Sequence, residues 1–388
     1  MSTTPLGVLD LIPRSSGDSA ATAVRNLVDL AQQTERFGYH RYWFAEHHLN
    51  AGVLGVSPAV SIALVAGATS TIRLGSAGVQ LGHHQPLAVV EEFGLLDAAY
   101  PGRLDLGLGR SIGRPKPADG VSGAVDAYVA NRGGGAHAVE QRADNGLLLP
   151  KQYDLTKLLA TSGAKVAALL DLLQQPGAYT PGYDSQIDDI LALLAGNYLS
   201  PSGTAVHAYP GEGAAIQVWI LGASGGSSAS VAGARGLRFV AGYHHSPSTV
   251  IDAVEAYRAA FQPSAELDRP HLSVSADVVV GDTDEHAAVL ASGYAPWVHS
   301  IRSGAGAIPY PTPEEAAKRE WTAAERELIQ DRLDTQLVGS PSTVADRLEQ
   351  LRDATGAHEL AITTITHDHA DRVRSYQLLA DEWNRRGN

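Results

Sequence analysis

Short apolar runs alternate along the chain with longer stretches whose apolar positions recur at helical spacing. LGVLDLI (6–12) predicts strand one. Residues 20–37 follow with Val24, Leu27, Val28, Leu30 and Ala31 on one helical face, and the pattern stops at Gly38. HRYWFA (40–45), with its aromatic and branched content, predicts strand two. Pro58, at a favoured first-turn position, opens a helix over 58–70. IRLGSAGVQ (72–80) predicts strand three, and Pro86 opens the next helix, PLAVVEEFGLLDAAY. RLDLGLG (103–109) predicts strand four, its small residues suiting close backbone contacts.

The alternation then lapses. Residues 111–210 are rich in Gly, Ala and Pro and hold two better helices, Lys151–Leu173 and Ser185–Leu194. That is far longer than an ordinary strand-to-helix connection, so the segment is read as an insertion over the rim and a lid. The pattern returns with IQVWIL (216–221) as strand five and a helix running to Arg235. LRFVAG (237–242) is strand six with a helix over 248–261. HLSVSADVVVG (271–281) is strand seven with a helix over 282–292. A second insertion, 293–335, contains a Gly/Pro-rich stretch and a charged helix (313–335). A last helix (341–355) and strand eight, ELAITTI (359–365), complete the series. Eight strand–helix units in order predict an α/β fold, a single (β/α)8 TIM barrel over 1–388.

Composition adds exclusions. A net charge of −13 disfavours nucleic acid and anionic membranes, which need basic surfaces. The absence of cysteine removes disulfides and thiolate metal sites. No signal peptide is read at the N-terminus, and no apolar window reaches the ~18 residues of a membrane span. A soluble cytoplasmic protein is therefore expected.

Candidate chemistry collects where strands end. His47-His48, His83-His84, His244-His245 and His367-Asp368-His369 each follow a predicted strand, and in a parallel barrel they share the rim where active sites are built. A histidine there can move a proton near neutral pH or simply hydrogen-bond a neighbouring loop. Gly75-Ser76-Ala77-Gly78 marks a close backbone approach, to a flat cofactor or to a bulky neighbour. Arg110, leaving strand four between small residues, suits a phosphate or a surface ion pair. Gly222-Ala223-Ser224-Gly225-Gly226-Ser227, opening a helix, presents backbone N–H groups and hydroxyls to an anion, although Gly/Ser loops are common. No metal site is expected: strand one offers only Asp10, and no His-Glu-x-x-His helix is present.

Taken in order, LGVLDLIPR, YWFAEHH, LGSAGVQLGHHQPLAVVEEFGLLDAAYPGRLDLGLGR, the loop at 222–228, GLRFVAGYHH, LVGSPSTVADRLEQL and ITTITHDH are specific. Together they resemble the bacterial luciferase-like family of flavin-dependent monooxygenases. The resemblance covers roughly residues 5–112 and 216–375 and is most diagnostic from Gly75 to Arg110. It implies a barrel that binds reduced FMN at the rim, the FMN being supplied by a separate flavin reductase. Dioxygen would add to give a 4a-hydroperoxyflavin that oxidises an aldehyde, ketone, alkane or polyketide. His47 matches the family's active-site histidine. Ala77-Gly78 matches the position of a non-prolyl cis peptide under the isoalloxazine ring. Arg110 matches the arginine facing the flavin phosphate, and Gly222, Ala223, Ser224, Gly225, Gly226 and Ser227 the phosphate cradle. His83, His84, His244 and His245 would line the mouth.

Two departures stand out. Gly109 occupies the place of the luciferase α subunit's reactive cysteine, which argues against long-lived light emission but not against oxygenation. The 222–228 loop is about one residue longer than usual. The helix over 86–100, with Leu87, Val90, Phe93 and Leu96 on its apolar face, resembles the family's dimer-forming helix and implies a homodimer. Two other readings fit the same barrel: a deazaflavin-dependent oxidoreductase, and a non-catalytic flavin-binding partner subunit. His47 and Arg110 together favour an active subunit, and the histidine-rich segments favour FMN.

Overall fold

The computed structural model describes residues 4–114 and 139–387. Eight strands, β1 (Leu6–Asp10), β2 (Arg41–Phe44), β3 (Arg73–Ser76), β4 (Leu104–Gly109), β5 (Gln217–Gly222), β6 (Arg238–Gly242), β7 (Leu272–Val280) and β8 (Glu359–Thr363), pair in parallel, each with the next. β8 returns to β1 with Leu360 beside Leu6, so the barrel closes. With helices between the strands, this is the (β/α)8 fold that the alternation predicts.

Period-two alternation divides the strand residues between two cores. Val8, Tyr42, Leu74, Leu106, Ile220 and Phe239 face outward and pack on helical residues such as Leu27, Phe93, Val254 and Leu348. Leu9, Trp43, Trp219, Val240 and Ala361 face the barrel interior and join Tyr294, Trp297 and Tyr310 from the second insertion. The second insertion therefore packs into the mouth of the barrel. Lower in the barrel the filling is ionic: Arg41 reaches Glu359 and Asp105, and its guanidinium lies 4.8 Å from the Trp219 ring centroid.

The elements differ from the sequence reading in ways that have local causes. Strand three does not run through 72–80. It breaks at Ala77-Gly78, whose peptide bond is cis, and resumes as Val79–Gln80 beside Leu108–Gly109. The charged helix over 313–335 is two helices, Pro313–Ala317 and Ala323–Thr335. Thr312/Glu315 and Thr322/Glu325 form a capping box at the start of each. Two helices had no counterpart in the reading. Tyr294–Arg302 lies in the second insertion. His369–Arg386 follows β8, is capped by Asp368, and buries Tyr376, Leu379 and Trp383.

The described residues of the first insertion include regular structure; residues 115–138 lie outside the described residues. Gln141–Arg142 pairs with Leu148–Leu149, and helices Leu155–Leu173 and Tyr183–Leu194 follow. The latter packs on helix Pro86–Ala99 and helps to cover Val90, Phe93 and Leu96. Gly94 and Gly211 make the close approach here, since a Cβ on Gly94 would sit 2.2 Å from the Gly211 Cα.

Candidate functional site

A cavity of about 640 Å³ opens at the C-terminal ends of the strands, within the size range of small-molecule sites. His47, Ala77, Gly78, Arg110, Gly222, Ala223, Ser224, Gly226 and Ser227 all line it. Gly225 does not. It faces helix Val250–Ala260, where a Cβ would lie 3.1 Å from the Asp252 carbonyl oxygen. A smaller cavity of about 230 Å³ at the opposite end, bounded by Thr4, His40 and Trp383, gathers none of the predicted residues.

The glycines of strand three answer to packing. A Cβ on Gly75 would lie 2.5 Å from the Asp105 carbonyl oxygen, and one on Gly78 2.7 Å from that of Gly107. Both are needed for β4 to come close, and Ala77 and Gly78 then present their backbone to the cavity. At Gly109 there is open space, with nothing nearer a Cβ than the Val79 carbonyl oxygen at 3.8 Å. A side chain at 109 would enter the cavity, so the missing cysteine leaves room there.

Arg110 and the 222–227 loop meet because Gly109 pairs with Leu221 in the β4–β5 register. The helix Ser227–Ala234 begins at Gly226 without a side-chain cap, and the buried Ser227 Oγ has no protein partner. Open N–H groups at a helix N-terminus, an orphaned hydroxyl and a guanidinium on adjacent strands suit a phosphate group.

The histidine clusters separate. His47 and His83 lie on the cavity wall, each with a buried Nδ1 that has no protein partner. Burial lowers both to about 4, so both rings are neutral near pH 7. His244 and His245 also line the cavity. His244 Nδ1 lies 2.5 Å from Ser275 Oγ, and burial, with Arg332 and His47 nearby, lowers it to about 3. His48 and His84 instead point behind the wall, where both rings meet Glu46 Oε1 at 2.8 Å. The Gln80 backbone N–H donates to Glu46 Oε2 at 2.9 Å. Burial alone would raise the Glu46 carboxyl, but these hydrogen bonds hold it at about 2. Glu46 thus ties the loop after β2 to the loop after β3.

The fourth cluster serves the frame. The His367 carbonyl accepts from Ser15 Oγ at 2.6 Å, and His369 pairs with Asp29 at 2.8 Å. Neither lines the cavity. Among the described residues no group of three His, Asp or Glu side chains is placed to hold a metal ion, and no helix is long and apolar enough to cross a membrane.

Sequence reasoning missed Glu46 and Gln80, and it missed Trp297 and Arg332, which close the cavity from the second insertion. A signal for Arg332 existed: it lies three and four residues after Ile329 and Leu328, on the apolar face of a helix read only as charged.

The luciferase-like monooxygenase family model matches residues 4–130 and 190–359. The chain belongs to the luciferase-like monooxygenase family. Membership makes it a flavin-dependent monooxygenase, an oxidoreductase. The luciferase-like monooxygenase of Escherichia coli (strain K12) is 30% identical over 380 residues, covering 98% of this chain and 97% of that protein. The N-acetyl-S-alkylcysteine monooxygenase of Bacillus subtilis (strain 168) is 44% identical over 108 residues, covering 28% of this chain and 32% of that protein. Among solved structures, apo-MsnO8 superposes with a TM-score of 0.72 at 28% identity, covering 98% of both chains. An FMN complex of a type II Baeyer-Villiger monooxygenase (18% identical, TM-score 0.57) and an F420-dependent secondary alcohol dehydrogenase (12%, 0.57) share the fold of this family.

Proposed function

We propose that this monooxygenase takes up reduced FMN from a separate flavin reductase and uses it with dioxygen to oxidise a small organic substrate. The observation that carries the reading is one cavity holding a phosphate cradle and a neutral, unpartnered imidazole. Reduced flavin supplies the two electrons that dioxygen needs. Arg110, Ser227 and the N–H groups at Gly226 and Ser227 hold the phosphate. The backbone of Ala77 and Gly78 gives the ring a flat seat with no large side chain. His47 holds or moves a proton at Nδ1. Apolar walls from Leu9, Leu11, Val240 and Trp297 keep water from the reacting atoms.

Arg110→Ala is expected to weaken reduced-FMN binding by about 1–3 kcal/mol, the scale of a charge-assisted hydrogen bond left unmade. Anaerobic fluorescence titration measures it, and an unchanged affinity places the phosphate elsewhere.

The deazaflavin reading is separated by oxygen. Mixing the anaerobic protein with photoreduced FMN and then with dioxygen tests both cofactor readings. Slower flavin reoxidation than in free solution, with product formed on adding substrate, supports the FMN reading. Reoxidation at the free rate, together with binding of reduced deazaflavin, supports hydride transfer.

A homodimer needs a different face. Val90, Phe93 and Leu96 are buried within the chain, while Leu87 and Leu95 on the same helix are exposed, as are Val60 and Leu64 on helix Pro58–Ala66. We propose a dimer through those four side chains, because adjacent exposed apolar side chains of this size mark association surfaces. Light scattering at micromolar concentration is expected to give twice the chain mass, and Leu64→Glu/Leu95→Glu the single mass. A wild-type monomer would sink the proposal.

A further inference from the structure

The wall of the cavity built by the second insertion excludes water in the flavin reading, but its polar groups have no part in it. Helices Tyr294–Arg302 and Ala323–Thr335 bring Trp297 and Arg332 to it. Both pack on Tyr294: the Trp297 ring centroid lies 6.1 Å from that of Tyr294, and the Arg332 guanidinium 5.7 Å. Arg332 Nη2 donates to Asp277 Oδ2 at 2.7 Å and to the Tyr294 hydroxyl at 2.6 Å, and Tyr294 donates to Asp277. One edge of the guanidinium is thereby fixed. Its Nε–H is buried with no protein acceptor, and so is the Trp297 Nε1–H.

Buried N–H donors without partners are uncommon in folded proteins, and two of them on one wall of one cavity call for acceptor oxygens from outside the chain. A cationic donor favours an anionic acceptor. Leu9, Leu11, Val53 and Ile301 give the same cavity apolar surface, and the neutral His244 ring lies near Arg332. The other cavity guanidinium, Arg110, stands at the end of β4 beside the phosphate cradle, whereas Arg332 is held to β7 through Asp277.

We infer that this wall is the substrate subsite, and that the substrate is an apolar molecule bearing a carboxylate. The carboxylate oxygens accept from Arg332 Nε and Trp297 Nε1, and the apolar body lies on Leu9, Leu11, Val53 and Ile301. The word substrate rests on the flavin reading; the binding chemistry does not.

Isothermal calorimetry on the full chain, with octanoate and 1-octanol as probes and reduced FMN titrated separately without oxygen, tests this. Octanoate is expected to bind about 10-fold or more tighter than 1-octanol. Trp297→Phe keeps the ring and removes the N–H; it is expected to weaken octanoate about 10-fold and leave 1-octanol unchanged. Arg332→Met/Asp277→Asn removes the ion pair as a unit and is expected to weaken octanoate about 10- to 100-fold, the range for hydrogen bonds to charged groups. Should that double variant fail to fold, Trp297→Phe alone decides. Arg110→Met is expected to weaken FMN and spare octanoate. Equal affinity for both probes, or octanoate binding lost in Arg110→Met and kept in Trp297→Phe, overturns the subsite. Octanoate binding as described in a protein that takes no reduced FMN keeps the subsite and removes the flavin reading.

Discussion

His47→Ala is expected to keep reduced-FMN affinity while product formation falls about 10²- to 10⁴-fold, the range for losing a positioned proton donor or acceptor. Flavin oxidation should then release hydrogen peroxide in place of product. The main chain here is held without the ring, since the His47 backbone N–H donates to the Gly55 carbonyl at 2.6 Å, so the variant should keep its shape. Desolvation holds the imidazole at about 4 against an ordinary 6.5. The neutral ring is the working form, so wild-type product formation should stay level from about pH 8 down to about pH 5 and fall as pH drops through about 4. The ratio of product to peroxide, followed against pH in both proteins, checks this. A wild-type inflection near 6.5 that disappears in His47→Ala would mean that the ring is hydrated and not enclosed. Coupling that survives in His47→Ala would make the residue a wall and not a proton handler.

Arg41→Met is expected to destabilise the fold by about 3–5 kcal/mol, the scale of a buried charge left without its partner. The Arg41 side chain is 6% exposed and donates to Glu359 at 2.5 and 2.9 Å and to Asp105 at 2.6 Å. Asp105 would keep Arg73 at 2.8 Å and the Trp43 Nε1–H at 2.9 Å. Glu359 would keep only His271, at 2.9 Å, so most of the loss falls there. Burial would raise the Glu359 carboxyl, but His271 and Arg41 hold it at about 2, below its ordinary 4.5. Its contribution is therefore present above about pH 4.5 and is lost as pH falls towards 2. The gap between wild type and variant should narrow over that range, because a protonated carboxyl no longer needs the guanidinium. Urea midpoints at neutral pH and near pH 3 measure both effects, and a gap that does not change with pH would assign the loss to packing. The same measurement on Arg41→Met/Glu359→Gln should recover part of the stability.

Most of the barrel was legible because a strand needs only a short apolar run and a barrel helix only one apolar face. β1, β2, β4, β6, β7 and β8 fall within their predicted spans, and β5 runs one residue past its own, to Gly222. The helix after β8 was not read, because Arg372, Asp381 and Glu382 thin its apolar pattern. In the fold Arg372 is buried against Asp10 and the Thr364 carbonyl, which is a tertiary partnership. The break at Ala77-Gly78 was invisible to periodicity, because a run of small and apolar residues reads as continuous strand until the approach of Gly107 is known.

Arg110, His47 and the glycine-rich loop could be placed on the rim, because position along a parallel strand fixes which end of the barrel a residue occupies. What each side chain meets there is a different matter. Glu46, His47 and His48 are neighbours in sequence, yet Glu46 turns inward as an acceptor, His47 faces the cavity, and His48 folds back onto Glu46. His367 and His369 share the rim and serve only the frame.

The sequence by itself determined the order of strands and helices, the parallel closed barrel that follows from it, and the end of the barrel at which polar groups collect. These depend on local periodicity and chain direction. Only the tertiary structure decided which histidines are desolvated, which ones Glu46 binds, and that Trp297 and Arg332 line the cavity and carry buried N–H groups without a protein acceptor. Those outcomes depend on loops that lack periodicity and on contacts between different elements, such as Glu46 with His84 and Arg332 with Asp277, that no local pattern encodes.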